Sequence, residues 1–169
     1  MKNFETLWDN FPQKKVLSST CFNAQDDGQS PFSNYCAILL SECFLKSGIN
    51  ISTYEGNKCW SHAGKNHLLL AEDLAEGLRM SPPSHFGRMM KVNPKIFQEK
   101  LKDKTGVIFF KDYWRRGSES DESRSGDHID LWNKNEITGG GMLYRSITEF
   151  FGFASDLNQS KQIWFWEVK

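Results

Sequence analysis

Helical and strand-like spacings of apolar residues alternate along this chain, separated by polar stretches rich in glycine, proline and serine. Phe4, Leu7, Trp8 and Phe11 recur at helical spacing and stop at Pro12, which predicts a short amphipathic helix packed on a core. Residues 18–31 are polar, contain Asp26-Asp27-Gly28, and read as a surface loop. From Cys36 the series Cys36, Leu39, Leu40, Cys43 and Phe44 follows the i, i+3, i+4, i+7, i+8 pattern of one buried helical face, with Ser33 or Asn34 able to cap its start and Gly48 to end it. Leu68, Leu69, Ala71, Leu74, Ala75 and Leu78 predict another amphipathic helix, closed by Pro82-Pro83, and residues 94–102 a shorter one.

Strand character dominates afterwards. Val107-Ile108-Phe109-Phe110 is short, β-prone and continuously apolar, as expected of a central strand covered on both faces. After a charged, serine-rich loop at residues 115–124, His128 to Trp132 alternates, so that His128, Asp130 and Trp132 share one face. Lys134-Asn135 is expected to turn this strand into the next at residues 136–138. Gly139-Gly140-Gly141, a helix-like stretch at residues 147–153 and a last strand at residues 162–168 complete the chain. The predicted fold class is α+β, with N-terminal helices and the Cys36 helix packed on an antiparallel sheet that carries His128.

Composition narrows the functional classes. With 169 residues, 38% apolar and 14% aromatic, the chain suits a single domain spanning residues 1–169 with one core. Lys plus Arg equals Asp plus Glu at 21 each, and no basic stripe is interleaved with aromatics, so no nucleic-acid partner is expected. Residues 1–13 are charged, and no window approaches the roughly 18 apolar residues of a membrane span, so neither a Sec-type signal nor a membrane association is expected. Cys21, Cys36, Cys43 and Cys59 lack the spacing of a compact disulfide scaffold or a paired zinc site. Cys36 and Cys43 lie two turns apart, about 10 Å along a helix, too far to bridge each other.

The chemistry suggested is nucleophilic. Cys36 falls in the first turn of its helix, where unpaired amides and the helix dipole favour negative charge on sulfur. His128 on a strand supplies a proton acceptor, and Asp130, two residues on, can share its face as an orienting group, although contact along one strand looks strained. The helix-start amides are the expected oxyanion donors. The same residues also fit a packed core thiol and a structural histidine, so spacing alone leaves both readings open. His62 and His67 suggest a zinc amidase only weakly, because no matched third ligand accompanies them, and no metal is expected.

Asn34-Tyr35-Cys36-Ala37-Ile38, Cys59-Trp60-Ser61-His62, Ala71-Glu72-Asp73-Leu74-Ala75, Gly126-Asp127-His128-Ile129-Asp130-Leu131-Trp132-Asn133 and Ile163-Trp164-Phe165-Trp166 together resemble the family 4 amidase effectors of type VI secretion. The resemblance spans nearly the whole chain, and the Gly126–Asn133 segment is its most specific element. It implies a papain-like NlpC/P60-type fold and a cofactor-free cysteine peptidoglycan amidase, a DL-endopeptidase cutting the D-Glu–meso-diaminopimelate bond of stem peptides. It further implies an antibacterial toxin injected by the type VI machinery into the periplasm of a target bacterium, with a cognate immunity protein in the producer. The family's nucleophile falls on Cys36 and its base on His128. Its third member is commonly an Asp about eleven residues after the histidine, where this chain has Gly139, so Asp130, Glu136, Thr138 or a water is left to fill that place. Trp60, Tyr35 and Asp127 are the expected substrate contacts. The competing readings are a protein-directed deamidase or transglutaminase-like toxin, and a non-catalytic cell-wall-binding module.

Overall fold

The computed structural model describes residues 3–23, 30–32, 34–61, 66–138 and 156–169. The chain opens with α1 (Phe4–Asn10), whose N-cap Asn3 accepts the Thr6 amide, followed by α2 (Lys14–Leu17). β1 (Phe22–Asn23) and β2 (Ser30–Pro31) pair as a small ribbon. Next come α3 (Cys36–Lys46), α4 (Ala71–Met80), β3 (Met90–Val92), a 3-10 turn at Pro94–Ile96 continuing into α5 (Phe97–Lys100), β4 (Thr105–Trp114), β5 (Gly126–Asn133) and β6 (Glu136–Ile137). A 3-10 turn at Asp156–Gln159 leads into β7 (Gln162–Glu167). The principal sheet is antiparallel with order β3-β7-β4-β5-β6, and α3 and α4 pack against it through β5. The expected α+β architecture with an antiparallel sheet is therefore observed. None of the helices among the described residues is long and apolar enough to cross a membrane.

β4 occupies the middle of the sheet, as its apolar run requires. Val107 and Phe109 join the core formed with α1, α3 and α4, whereas Ile108 and Phe110 on the other face pack with Phe97, Leu101, Trp132 and Leu157. A strand covered on both faces has no solvated side to carry polar alternation. Gly106 marks the closest approach of β4 to β7, since a Cβ there would lie 2.0 Å from the Trp166 carbonyl oxygen. Gly106→Ala is expected to destabilise the protein by about 1–3 kcal/mol, because a backbone atom cannot swing aside as a side chain can. Chemical denaturation checks this, and an unchanged midpoint would mean that the two strands shift apart without loss.

α3 departs from the expected one-sided pattern, for every residue from Cys36 to Phe44 is buried. The polar positions are covered by the stretch before α4. Ser41 Oγ accepts the Leu68 amide at 3.1 Å, and Glu42 Oε2 lies 2.7 Å from His67 Nε2. That stretch also explains why α4 begins at Ala71 rather than Leu68, since Leu68 is committed to a β-bridge with Lys58. Gly48, at φ 69°, ends α3 in the left-handed region as its position suggested. The predicted helix at residues 147–153 and the Gly139-Gly140-Gly141 run lie outside the described residues, as do Ser33 and His62.

Candidate functional site

Cys36 is the first residue of α3, and its amide donates to Asn34 Oδ1 at 2.9 Å. The cap is therefore an asparagine side chain two residues upstream, which turns the chain sharply into the helix. Asn34 and Cys36 both line a groove of about 690 Å³, whose other walls include Trp60, Trp114, Arg116 and Asp127. Trp60 is 48% exposed and stands edge-on to Phe32, with centroids 5.6 Å apart. Arg116, from the charged, serine-rich loop after β4, lies over the Trp114 ring at 5.8 Å.

His128 is buried beside this groove on β5, on the same sheet face as its β4 partner Phe110, whose ring lies 6.3 Å away in a stacked arrangement. Its imidazole interacts with both the Cys36 thiol and the Asp130 carboxylate. The His128 Nε2 to Asp130 Oδ2 distance is 3.2 Å, so Nδ1 is left to meet the sulfur. The contact expected to be strained is thus made. Residues two apart on a strand stand about 6.7 Å apart on one face, a span that an imidazole and a carboxylate leaning together can bridge. Asp130 is held from its own strand, because its Oδ1 accepts the Leu131 amide at 2.8 Å, while the Thr138 amide donates to the Leu131 carbonyl at 3.2 Å. Of the other candidates for the third place, Glu136 is exposed and Thr138 is buried, while Gly139, at the family's Asp position, lies outside the described residues.

Electrostatics favour a charged imidazole. Burial pulls the His128 pKa down, but hydrogen bonds to Asp130 and Cys36 outweigh it and raise the value from 6.5 to about 10. Burial raises the Asp130 carboxyl, opposed chiefly by the hydrogen bond and charge of His128. Because the folded pKa of His128 is raised, the stability it contributes is complete below its unfolded value near 6.5 and is lost as pH climbs toward about 10. In a Cys36→Ala background, where no thiolate offsets the proton on the imidazole, stability is therefore expected to fall from pH 6.5 to 8.5 relative to the further change His128→Gln, a window below the ordinary titration of the thiols. Urea midpoints across that range test the sign, and parallel curves would show that His128 is neutral.

Asp127, next to the histidine, is 6% exposed, and burial pushes its carboxyl pKa upward. Its Oδ1 accepts the Asp112 amide at 2.8 Å, latching the irregularity between Phe110 and Trp114 where Asp112 adopts φ 53°. Lys111, at the same bulge, forms an ion pair with Glu72 of α4. Of the three expected substrate contacts, Trp60 and Asp127 line the groove. Tyr35 is 3% exposed instead, with its hydroxyl donating to the Cys21 carbonyl at 2.6 Å, so it braces the wall from behind.

Asn34 is the groove residue whose chemistry sequence reading underrated. Capping patterns identified it only as a helix signal, but with Oδ1 bound to the Cys36 amide its Nδ2 remains as a donor in the groove that Cys36 also lines. Cys43 is a packing residue, as its place in the stripe suggested. It donates to the Leu7 carbonyl at 3.1 Å, and burial lifts its thiol to about 12. No group of three His, Cys, Asp or Glu residues among the described residues is arranged to hold a metal ion.

A family model described as type VI secretion system (T6SS), amidase effector protein 4, matches residues 32–166. The fold is similar to that in the crystal structure of the type VI effector-immunity complex Tae4–Tai4 from Salmonella Typhimurium, with 20% identity, a TM-score of 0.63, and coverage of 99% of this chain and 98% of that one. It is similar also to the type VI effector Tae4 from Enterobacter cloacae, with 18% identity, a TM-score of 0.63, and coverage of 99% and 96%. No curated protein matches the chain by sequence.

Proposed function

Because this chain belongs to the amidase effector protein 4 family of type VI secretion, we propose that it is a cysteine DL-endopeptidase of papain-like NlpC/P60 type, cleaving the D-Glu–meso-diaminopimelate bond of peptidoglycan stem peptides. The observation that carries the cysteine mechanism is the juxtaposition of Cys36, His128 and Asp130 beside the groove, with His128 Nε2 3.2 Å from Asp130 Oδ2. As thiolate and imidazolium, the first two form a nucleophile with its proton already stored on the group that must later deliver it.

The Cys36 sulfur attacks the D-Glu side-chain carbonyl, and the C–N bond breaks as His128 passes its proton to the departing diaminopimelate amine. Water then attacks the thioester, His128 takes its proton, and the thiolate leaves. Asp130 keeps the imidazole aligned throughout. Negative charge on the tetrahedral oxygen is met by first-turn amides of α3 together with Asn34 Nδ2, since the Cys36 amide is already bonded to Asn34. Trp60 offers an apolar face to the stem peptide, and Asp127 and Arg116 place charges of both signs along the groove, suited to the amine and carboxylates of a diaminopimelate peptide.

The whole of residues 1–169 is taken as one amidase domain. As an effector of type VI secretion it would act in the periplasm of a target bacterium, and a cognate immunity protein, the kind of partner the matched effector-immunity complexes are named for, would bind across its groove. Mass spectrometry of purified muropeptides incubated with the protein tests the proposal. Fragments split after D-Glu are expected. Intact muropeptides would overturn the substrate assignment in favour of a protein substrate or a binding role.

A further inference from the structure

A polar cluster that the amidase mechanism does not use lies where the segment after α2 meets the stretch carrying Trp60. Cys21 Sγ is 3.1 Å from His67 Nδ1, and His67 Nε2 is 2.7 Å from Glu42 Oε2 on α3. Cys59 Sγ is 3.0 Å from Ser61 Oγ, which donates to the Thr20 carbonyl at 2.6 Å and accepts the Phe22 amide at 3.2 Å. Residues 20–22 and 59–61 are thereby clamped side by side, and Cys21 and Cys59 fall in one buried cluster, near enough for Cys59 to act on the Cys21 thiol. Both are thiols in the structure.

We propose that Cys21 and Cys59, packed together with Tyr35, Ile38 and Leu39 and clamped through Ser61, are a disulfide-forming pair that staples the Trp60-bearing wall of the groove to the segment after α2. Side chains packed in one buried cluster on two clamped segments need only rotations about their Cα–Cβ bonds to bring the sulfurs toward bonding distance. The surroundings also divide the roles. Cys59 is 6% exposed and Cys21 is 0% exposed, so Cys59 is the entry thiol. Burial lifts the Cys21 thiol to about 12, which leaves little thiolate at neutral pH. His67 answers that obstacle. With Nε2–H donated to the Glu42 carboxylate, its Nδ1 is the acceptor facing Cys21 and can take the thiol proton as sulfur attacks.

The oxidant required is a disulfide, for which oxidised glutathione serves. Cys59 thiolate displaces one glutathione thiolate to give a mixed disulfide. Cys21 then attacks the Cys59 sulfur of that adduct, passing its proton to His67, and the second glutathione thiolate leaves. Two protein thiols become one disulfide, one glutathione disulfide becomes two glutathione thiols, and both protons end on glutathione. Export from a reducing cytoplasm into an oxidising periplasm would drive this step, so its occurrence in the target cell rests on the proposed site of action, whereas the pairing itself does not.

The test uses Cys36→Ala, which removes the groove thiol, equilibrated with oxidised glutathione or with dithiothreitol, then denatured, alkylated and examined by intact mass and peptide mapping. The expected result is a loss of two hydrogen masses, a linked Cys21–Cys59 peptide, and Cys43 as the one remaining alkylatable thiol. The oxidised form should also unfold at a temperature higher by on the order of 5–10 °C. Cys59→Ser in the same background should lose both changes, and should that variant not fold, the peptide map decides alone. Three alkylatable thiols at equilibrium, a glutathione adduct without ring closure, or a link through Cys43 would overturn the pairing. None of these readouts needs substrate, so failure here and failure of the amidase assignment are separately visible.

Discussion

Cys36→Ala is expected to lower the rate of stem-peptide cleavage by about 10⁴-fold or more, because among the described residues lining the groove no other carries a thiol or hydroxyl to form the acyl-enzyme and residual turnover would rest on binding and oxyanion contacts alone. The fold should survive. Alanine is a good helix former, and the hydrogen bond that shapes the start of α3 runs from the residue 36 backbone amide to Asn34, so it does not depend on the sulfur. Far-UV circular dichroism and the denaturation midpoint provide that control. Cleavage within about tenfold of wild type in a folded Cys36→Ala protein would remove the cysteine mechanism.

Asp130→Asn is expected to cost about 10²- to 10⁴-fold in turnover, with a smaller effect on substrate binding. The carboxylate accepts from His128 and from the Leu131 amide in a fully buried setting. A neutral amide of the same shape still fills the space but no longer stabilises an imidazolium. The His128 pKa should consequently fall from about 10 toward its ordinary value. Imidazole titration by NMR distinguishes this from a loss of packing, which would lower activity without moving the titration. An unchanged titration together with unchanged turnover would assign the orienting role to another group. Asp130→Ala is the harsher variant, since an unpaired buried charge costs about 3–5 kcal/mol, and it is the poorer test for that reason.

Legibility in the sequence followed the strength of local pattern. The Cys36 helix, the strand through residues 107–110, the His128–Asp130–Trp132 face and the terminal strand were readable because a period of 3.6 or 2, or an unbroken apolar run, persists for several residues in each. β3, with three residues and a largely exposed edge, has no such pattern, and neither does the β1–β2 ribbon. α2 is a four-residue helix in a stretch that reads as polar, held by packing of Leu17 rather than by periodicity.

The site divides the same way. Residue types and spacing identified Cys36 at a helix start and His128 with Asp130 on one strand face, because those features depend on neighbours close in the chain. That Asp130 reaches His128, that Asn34 spends its carbonyl on the Cys36 amide, and that Tyr35 turns inward to Cys21 are decided by side-chain directions fixed only after packing. The Cys21–His67–Glu42 cluster shows the limit most clearly. Its members come from three segments with no common pattern, and α3 looked amphipathic because Ser41 and Glu42 read as solvent-facing. Sequence alone therefore determined the α+β class, the nucleophile helix and the histidine strand, since hydrophobic periodicity and helix-end chemistry are local properties. Tertiary structure alone decided which polar groups meet in the interior, because a buried polar side chain must find its partner wherever the fold brings one within hydrogen-bonding distance.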